Sequence, residues 1–309
     1  MTIRVVKAGL FTTVQDRGRF GYAHLGISPA GAADALSLRI ANLLVGNDEY
    51  APALEMTLLG ATLEFDEPGT VAVSGASCEC KVGSNRIPTN SAIEIPPGSV
   101  LQCGAASDGA RIYLAVRGGV DVPVVMGSAS TDIRGRFGGC NGRRLQVGDV
   151  LPVADANRAR PRRLRGSALE GTRNPGTIRV TSGAQRDWFS DEMYAQFLAT
   201  TYAVSEQSDR AGLRLKGDAI LTRETKQLLT DGIPLGAIQV PQDGQPIILF
   251  VDQQTTGGYP KIANVIAADM HRLGQLRPRD EFRFAEVSIP EAIDALRAQE
   301  RWLKGIWEN

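Results

Sequence analysis

The chain carries the run Pro246-Ile-Ile-Leu-Phe-Val-Asp252, which is short, almost wholly apolar and bounded by Pro and Asp. Similar short runs, each bounded by Gly, Pro, Asn or Asp, recur at Thr70–Ser74, Ala92–Ile95, Arg111–Val116 and Thr177–Thr181. Short β-rich runs punctuated by turn residues predict strands. Many such strands at close spacing, without regular βαβ alternation, favour barrel or sandwich domains.

A few helices are predicted between the strands. Residues 28–45 open with Ser-Pro and stop before a glycine, as a helix does. Further helices are expected over 187–199 and over 260–274, the latter starting at a proline. Ser288 and Glu291 form a capping-box pattern ahead of the last helix. The predicted buried face of that helix consists of Ile289, Ala292, Ile293, Leu296 and Leu303.

The length of 309 residues predicts two domains, because one compact domain usually needs fewer. The sequence also echoes itself, with Gln15–Gly21, Leu59–Ala61 and Ile95–Gly98 followed in the same order by Gln207–Leu213, Leu235–Ala237 and Leu276–Arg279. Matches in one order indicate a duplicated domain. We therefore expect a first lobe over 1–157, a linker rich in Arg, Gly and Pro over 158–175, and a second lobe over 176–309.

Composition excludes several classes of function. The 34 basic and 34 acidic residues balance, so charge gives no argument for nucleic acid or an anionic membrane. The N-terminus resembles a strand rather than a signal peptide, and no long apolar stretch occurs, so a cytoplasmic protein is expected. The four cysteines are Cys78, Cys80, Cys103 and Cys140, and the chain has two histidines. This set lacks zinc-site spacing, so free thiols and no metal site are expected.

The segment Asp252–Lys261 is polar and Gly-rich, and it directly follows the apolar strand quoted above. Because a helix is expected to begin at Pro260, the loop N–H groups and the helix dipole predict a site for an anion. Gly257 and Gly258 would allow close backbone approach. Lys261 would lie in the first helical turn, where a cation opposes the dipole, which indicates an anionic partner. A plain loop with a surface lysine is the alternative.

Two further segments carry groups suited to chemistry. Asp209 next to Arg210 suits either a structural ion pair or a base beside a guanidinium that clamps an anion. The segment 116–139 is long, polar and Gly-rich for a loop, and it carries Arg134 and Arg136. Long loops of this kind are often binding surfaces and are otherwise connectors.

Seven stretches in order carry a family resemblance: Phe11–Tyr22, Gly26–Gly31, Ala53–Met56, Arg117–Asp121, Ser205–Leu215, Gly232–Gln239 and Thr255–Lys261. Together they resemble the biotin-dependent carboxyltransferase family, which includes the C component of 5-oxoprolinase, KipA and the second component of allophanate hydrolase. The resemblance runs from about residue 4 to about residue 285. Seven ordered stretches over nearly the whole chain make the resemblance specific.

The resemblance implies a mainly β chain of two tandem cyclophilin-like β-barrel lobes with a few flanking helices. It also implies a hetero-oligomeric partner, the KipI-like B component of 5-oxoprolinase. With the A component as well, the set would hydrolyse 5-oxoproline to glutamate at the expense of ATP, while fused relatives move a carboxyl group from carboxybiotin to urea. This sequence has neither an Ala-Met-Lys-Met biotin-acceptor motif nor a Walker segment. We therefore expect ATP to act at the level of the complex, and biotin to arrive only on a separate carrier.

Site residues are expected at positions that match the family. Asp209 would orient or deprotonate a small amide substrate, and Arg210 and Lys261 would bind an anionic intermediate. Gln239 would orient the amide. The other candidates share the Gly-rich segment and would contact the substrate: Thr255, Thr256, Gly257, Gly258 and Tyr259.

The leading hypothesis is one component of an ATP-dependent 5-oxoprolinase. One alternative is a carboxyltransferase that acts on urea or a related amide. Another is a KipA-like protein that binds and antagonises a KipI-like kinase inhibitor. Family and fold do not decide among these functions.

Overall fold

The computed structural model describes residues 1–155, 160–165, 176–224 and 228–308. The chain divides into two compact units: the first comprises Met1–Arg19, Ala30–Glu170 and Ile306–Asn309, and the second comprises Phe20–Pro29 and Gly171–Gly305. The predicted mainly β class is confirmed, since strands dominate both units. The expected linker, 158–175, lies for the most part outside the described residues.

Among its described residues, the first unit holds eleven strands and one α-helix. Their bounds are β1 (Thr2–Lys7), β2 (Phe11–Gln15), α1 (Ala35–Leu44), β3 (Ala53–Thr57), β4 (Thr62–Phe65), β5 (Gly69–Gly75), β6 (Cys78–Val82), β7 (Asn85–Ile87), β8 (Ile93–Ile95), β9 (Val100–Ala106), β10 (Arg111–Val116) and β11 (Val150–Pro152). They form a six-stranded sheet, β11-β1-β4-β9-β6-β7, and a five-stranded sheet, β2-β3-β10-β5-β8.

One apolar core lies between these two sheets. It takes buried side chains from both, including Ile3, Leu63 and Leu101 from the larger sheet and Leu54 and Leu114 from the smaller one. Alternate residues of β4 and of the first half of β9 are buried, as expected when one face of a sheet covers a core. The first unit is therefore two sheets that share a core.

The second unit contains a closed barrel. Its elements are β12 (Thr177–Ser182), α2 (Asp191–Ala199), β13 (Tyr202–Val204), β14 (Gly212–Lys216), β15 (Asp231–Gly232), β16 (Ala237–Gln239), β17 (Ile247–Leu249), β18 (Thr256–Gly257), β19 (Lys261–Val265), α3 (Met270–Gln275), β20 (Glu281–Glu286) and α4 (Ile289–Gly305). Seven strands close in the order β12-β19-β16-β17-β14-β13-β20. Parallel pairing of β12 with β20 closes the ring, and α2 covers β20 by stacking Phe197 on Phe284 at 4.7 Å between ring centroids. Strands β15 and β18 form a separate two-stranded ribbon.

The first predicted helix starts later than its Ser-Pro signal. Ala30 and Gly31 have φ values of 51° and 85°, and this left-handed backbone cannot continue into an α-helix. The helix α1 begins instead after Asp34, whose carboxylate accepts a 2.9 Å hydrogen bond from the Ser37 N–H. Its predicted end is confirmed, because Leu44 is the last helical residue and Gly46 has a φ of 77°.

The helix predicted over residues 260–274 is wrong over its first half. Lys261–Val265 is strand β19, which pairs with β12 on one side and β16 on the other. Its β-branched residues Ile262 and Val265 suit a strand, and pairing on both edges outweighs the helix-start preference of Pro260. Only Met270–Gln275 is α-helical, as α3.

The capping box of the last helix is confirmed, but its predicted buried face is not. Ser288 N–H donates to Glu291 Oε2 at 2.7 Å, and Glu291 N–H donates to Ser288 Oγ at 3.3 Å. Ile289, Ile293 and Leu296 are exposed, while Leu303 is buried. The periodicity therefore correctly predicts a helix, but three of its apolar side chains stay exposed, and Gln299 in the middle of α4 donates to the Ala268 carbonyl at 2.9 Å.

One sequence echo corresponds to the same local structure twice. The turn before β9 has a 3.3 Å bond from Ser99 N–H to the Pro96 carbonyl, and the turn before β20 has a 3.1 Å bond from Asp280 N–H to the Arg277 carbonyl. In both, the third residue has positive φ, 70° at Gly98 and 75° at Arg279. The Leu-Gly-Ala echo does not correspond in this way, because β4 and β16 pair differently within their sheets.

Among the described residues, no helix combines the length and the apolar character needed to cross a membrane.

Candidate functional site

Gln239 and Lys261 lie side by side on the barrel. They are cross-strand partners on β16 and β19, at a point where the register of the pair shifts. Both side chains are buried, although both are polar. Both side chains reach the β15–β18 ribbon, because Lys261 Nζ contacts Asp231, and Asp231 is the cross-strand partner of Gly257, which adjoins Gln239 Nε2. The structure therefore brings together two of the predicted site residues that are 22 positions apart in sequence.

The β15–β18 ribbon adjoins this pair. In the ribbon, Asp231 is opposite Gly257 and Gly232 is opposite Thr256. The Asp231 carboxylate accepts a hydrogen bond from Lys261 Nζ at 3.2 Å. A Cβ atom on Gly257 would lie 3.0 Å from Gln239 Nε2, so the glycine allows the ribbon backbone to approach the amide closely. The same Cβ would lie 2.8 Å from Ile233 Cδ1, so a side chain here would crowd the flexible ends of both neighbours.

The Lys261 ammonium is a buried charge with few hydrogen-bond partners. Its side chain is 3% exposed, whereas its partner Asp231 is 62% exposed. Within the described residues Nζ has this single acceptor, although an ammonium can donate three hydrogen bonds. The Gly232 N–H and then the Lys261 ammonium hold the pKa of Asp231 below its usual value, so this partner is a carboxylate at neutral pH. A buried cation of this kind attracts a further anion, because burying a charge without enough partners is costly.

The structure supplies this positive charge differently from the sequence prediction. The helix N-terminus expected at Pro260 does not exist, so the helix dipole contributes nothing here. Lys261 lies instead in a strand, and its N–H donates to the Gln185 side chain at 3.1 Å. The lysine therefore stays a candidate anion ligand, whereas the predicted helix-terminus site is wrong.

Arg210 forms a buried ion pair with Asp252. Its Nε and Nη2 atoms donate to the two carboxylate oxygens at 2.8 and 3.1 Å, and the side chains are 7% and 5% exposed. The Asp252 N–H also donates to the Arg210 carbonyl at 2.8 Å. The pair thus joins the turn before β14 to the end of the apolar run Pro246–Asp252. This geometry favours the structural alternative for Arg210 over a guanidinium held open for substrate.

Asp209 serves the same turn. Its Oδ1 atom accepts hydrogen bonds from the N–H groups of Ala211 at 2.8 Å and Gly212 at 3.1 Å. The residue is exposed. A carboxylate bonded to the backbone two and three residues ahead is an Asx turn. The expected role of Asp209 as a base has no support in these contacts.

The other candidates lie on or beside the ribbon. The Thr255 carbonyl accepts a 2.9 Å hydrogen bond from the Ile233 N–H, and the Tyr259 carbonyl is 3.5 Å from Gln239 Nε2. Thr256, Gly258 and Tyr259 are exposed, so they form a rim rather than a buried wall.

Sequence reasoning missed Asp231 and Gln253. Gln253 is buried, and its Nε2 donates to the Ile233 carbonyl at 3.0 Å, which fixes the loop after the apolar run to the ribbon. Asp231 is 30 positions from Lys261 and stands in an ordinary Asp-Gly pair. Only the pairing of β15 with β18 brings it to the lysine.

The long loop of the first unit is firmly held. Asp16 is buried and accepts hydrogen bonds from the Ser128 and Ser130 hydroxyls at 2.5 Å and from the Ala129 N–H at 2.7 Å. The Arg19 guanidinium stacks on Phe137 at 4.8 Å from the ring centroid. These buried contacts explain the serines of the loop through folding, whereas Arg134 and Arg136 are exposed. In the described part of the chain, no group of three or more His, Cys, Asp or Glu side chains could hold a metal ion.

Known proteins resemble this chain over its whole length. A family model for the carboxyltransferase domain, subdomain A and B, matches residues 25–286. The chain is 41% identical over 302 residues to the C component of 5-oxoprolinase from Escherichia coli, covering 98% of this chain and 96% of that protein. It is 38% identical over 294 residues to the same component from Haemophilus influenzae, covering 95% and 94%.

A solved structure extends the likeness to the fold. The crystal structure of the K. lactis urea amidolyase matches with a TM-score of 0.94 and 34% identity, over 100% of this chain and 20% of that chain. The resemblance seen in the sequence is thus confirmed by the family model, by near full-length relatives and by the fold. The chain belongs to the carboxyltransferase-domain family, subdomains A and B.

Proposed function

We propose that this chain is the C component of an ATP-dependent 5-oxoprolinase and acts with the A and B components to hydrolyse 5-oxoproline to glutamate. The near full-length likeness to two proteins of that name supports the assignment. The observation that carries the site is the buried Lys261 ammonium beside the Gln239 amide. A substrate with one carboxylate and one amide has a partner for each: its carboxylate complements the ammonium, and its amide complements the Gln239 carboxamide.

The roles follow from the chemistry of the two side chains. In this proposal Lys261 binds the carboxylate or an anionic intermediate, where low solvent access strengthens the attraction. The Gln239 carboxamide donates and accepts hydrogen bonds, so it can orient an amide ring. Asp231 is the residue that the ligand displaces from Lys261, because an exposed carboxylate returns to water at little cost. Thr255, Thr256, Gly257, Gly258 and Tyr259 then border the entrance.

ATP enters the proposal through the complex. The sequence has no Gly-x4-Gly-Lys-Ser/Thr phosphate loop, and we assign nucleotide binding to a partner protein of the complex. Phosphoryl transfer from ATP would supply the free energy for opening the ring amide. This chain's own part is to hold and orient the amide-derived anion.

A second candidate function is a carboxyltransferase step. The TM-score of 0.94 to urea amidolyase favours it, since that structure holds the same fold within a longer chain. The same Lys261 would hold the transferred carboxyl group, and a separate biotin carrier would deliver it. Urea or a related amide would take the place of the cyclic amide.

Reconstitution separates the two functions. The purified chain is mixed with the A and B components, 5-oxoproline and ATP, and glutamate is quantified; mixtures that omit one component in turn are the controls. We expect glutamate only in the complete mixture. Absence of glutamate with all three folded components present, together with carboxylation of urea when a biotin carrier and its carboxylase are added, would replace the first function by the second.

A further inference from the structure

Three of the four cysteines lie on two neighbouring strands of the first unit. Cys78 and Cys80 are on β6, and Cys103 is on β9. The sulfur atoms of Cys78 and Cys80 are 3.4 Å apart, and Cys80 is the cross-strand partner of Cys103. We call these residues the thiol cluster. Cys140 lies outside it and contacts Asp149 instead, with its sulfur 3.8 Å from Oδ2.

The backbone pattern places Cys80 and Cys103 at a spacing that a disulfide can bridge. The Cys103 N–H donates to the Ala61 carbonyl at 2.9 Å, on the side of β9 away from β6. Cys80 and Cys103 are therefore a non-hydrogen-bonded antiparallel pair, in which Cα atoms lie about 4.5 Å apart. Disulfides connect Cα atoms separated by roughly 4.4 to 6.8 Å.

The cluster has an exposed end and a buried end. Cys78 is half-buried, whereas Cys80 and Cys103 are buried in the core. The hydrogen bond with Cys103 raises the pKa of Cys80, the hydrogen bond with Cys78 opposes this, and burial raises the pKa further. The net rise keeps this thiol protonated, so it reacts poorly with external reagents. A reagent in solvent therefore meets Cys78 first.

We propose that the thiol cluster is an oxidation site for a peroxide-class oxidant, with Cys78 as the receiving thiol and a Cys80–Cys103 disulfide as the product. The Cys78 thiolate attacks one peroxide oxygen, breaks the O–O bond and becomes a sulfenic acid as hydroxide leaves. The Cys80 thiol then displaces the sulfenic oxygen as water and forms the Cys78–Cys80 disulfide. Two thiols lose two electrons in total, the peroxide gains them, and two waters result.

Thiol–disulfide exchange completes the sequence. Cys103 attacks the Cys80 sulfur, the Cys78–Cys80 bond breaks, and the proton of Cys103 passes to the departing Cys78 sulfur. Residues two apart on an extended strand have Cα atoms about 6.6 Å apart, near the upper limit for a disulfide. The closer Cys80–Cys103 pair is therefore the more stable product, and Cys78 is regenerated as a thiol.

The test treats the full chain with hydrogen peroxide, counts free thiols and maps disulfides by mass spectrometry after digestion. The expected result is a fall from four free thiols to two, with a Cys80–Cys103 link. Cys103→Ser should trap the Cys78–Cys80 link, and Cys78→Ser should slow disulfide formation about tenfold or more. In Cys80→Ser, Cys78 should stop as a sulfenic acid that dimedone captures.

Cys140→Ser is the matched control and should oxidise like the natural chain. Retention of four thiols under conditions that oxidise glutathione would overturn the proposal. So would a link that requires Cys140, a link only between chains, or unchanged disulfide formation in Cys80→Ser. Circular dichroism of each variant before treatment shows whether it is folded. Any two folded variants among Cys78→Ser, Cys80→Ser and Cys103→Ser are enough to decide the order of steps.

Discussion

Removing the Asp252 carboxylate tests whether Arg210 is a structural residue. In Asp252→Ala the guanidinium, which is buried at 7% exposure, loses two hydrogen bonds of 2.8 and 3.1 Å to its counter-charge. Breaking one side of a buried ion pair costs about 3–5 kcal/mol. With an m-value of about 2.5 kcal/mol/M, the midpoint of urea unfolding should fall by roughly 1–2 M.

Two matched variants make this measurement specific. Glu206→Ala removes the partner of Arg279 in an exposed pair and should cost less than about 1 kcal/mol. Arg210→Met with Asp252→Leu replaces both charges by apolar groups, and most of the lost stability should return. Urea unfolding is followed by fluorescence and circular dichroism together. A loss in Asp252→Ala no larger than in Glu206→Ala would refute the structural assignment of Arg210.

Three further perturbations have defined outcomes. Asp231→Asn should lower the KM of the reconstituted enzyme for 5-oxoproline, since the substrate would no longer compete with a carboxylate for Lys261; an unchanged or raised KM contradicts this. Ser288→Ala should lower the free energy of unfolding by about 1 kcal/mol, measured by urea titration, because it removes a capping box. Hydrogen bonding from Arg143 lowers the pKa of Asp149 from 3.8. The Asp149 carboxylate therefore adds to the free energy of unfolding above that pH, and this stabilisation is lost as the pH falls through the lowered pKa. The stability gap between the natural chain and Asp149→Asn should therefore narrow in acid unfolding below pH 3.8, and a gap that widens there is inconsistent with this ion pair.

The strands were predictable because their information is local. Thr70–Ser74 and Arg111–Val116 are apolar runs between turn residues, and β5 and β10 occupy them. Pro260 shows the limit of local reasoning. Its fixed φ suits the first turn of a helix and also the position before a strand, so only pairing of β19 with both neighbours decides between them.

The helix α4 shows a second limit. The spacing of Ile289, Ile293 and Leu296 correctly predicts a helix, but periodicity does not say whether the chain covers that stripe. The site shows a third limit. Lys261 and Gln239 were identifiable as family-matching positions, yet their adjacency depends on the register of β16 and β19. Asp231 lies near them only because β15, a strand of two residues, forms the ribbon with β18.

The echo between the two halves was only partly informative. Two similar turns lead into β9 and β20 because a proline followed by a residue of positive φ fits the same turn in both places. The Leu-Gly-Ala echo precedes strands with different neighbours, so short matches alone do not define equivalent positions.

The most direct test of the proposed site is the effect of Lys261→Met on kcat/KM for 5-oxoproline in the complex with the A and B components. Loss of a charge-assisted hydrogen bond to a bound anion predicts a fall of about 10- to 100-fold. Lys304→Met, which removes an exposed ammonium on α4, is the control and should leave kcat/KM unchanged. Native-like circular dichroism and intact assembly must accompany the loss. Full activity in a folded, assembled Lys261→Met complex would contradict the account.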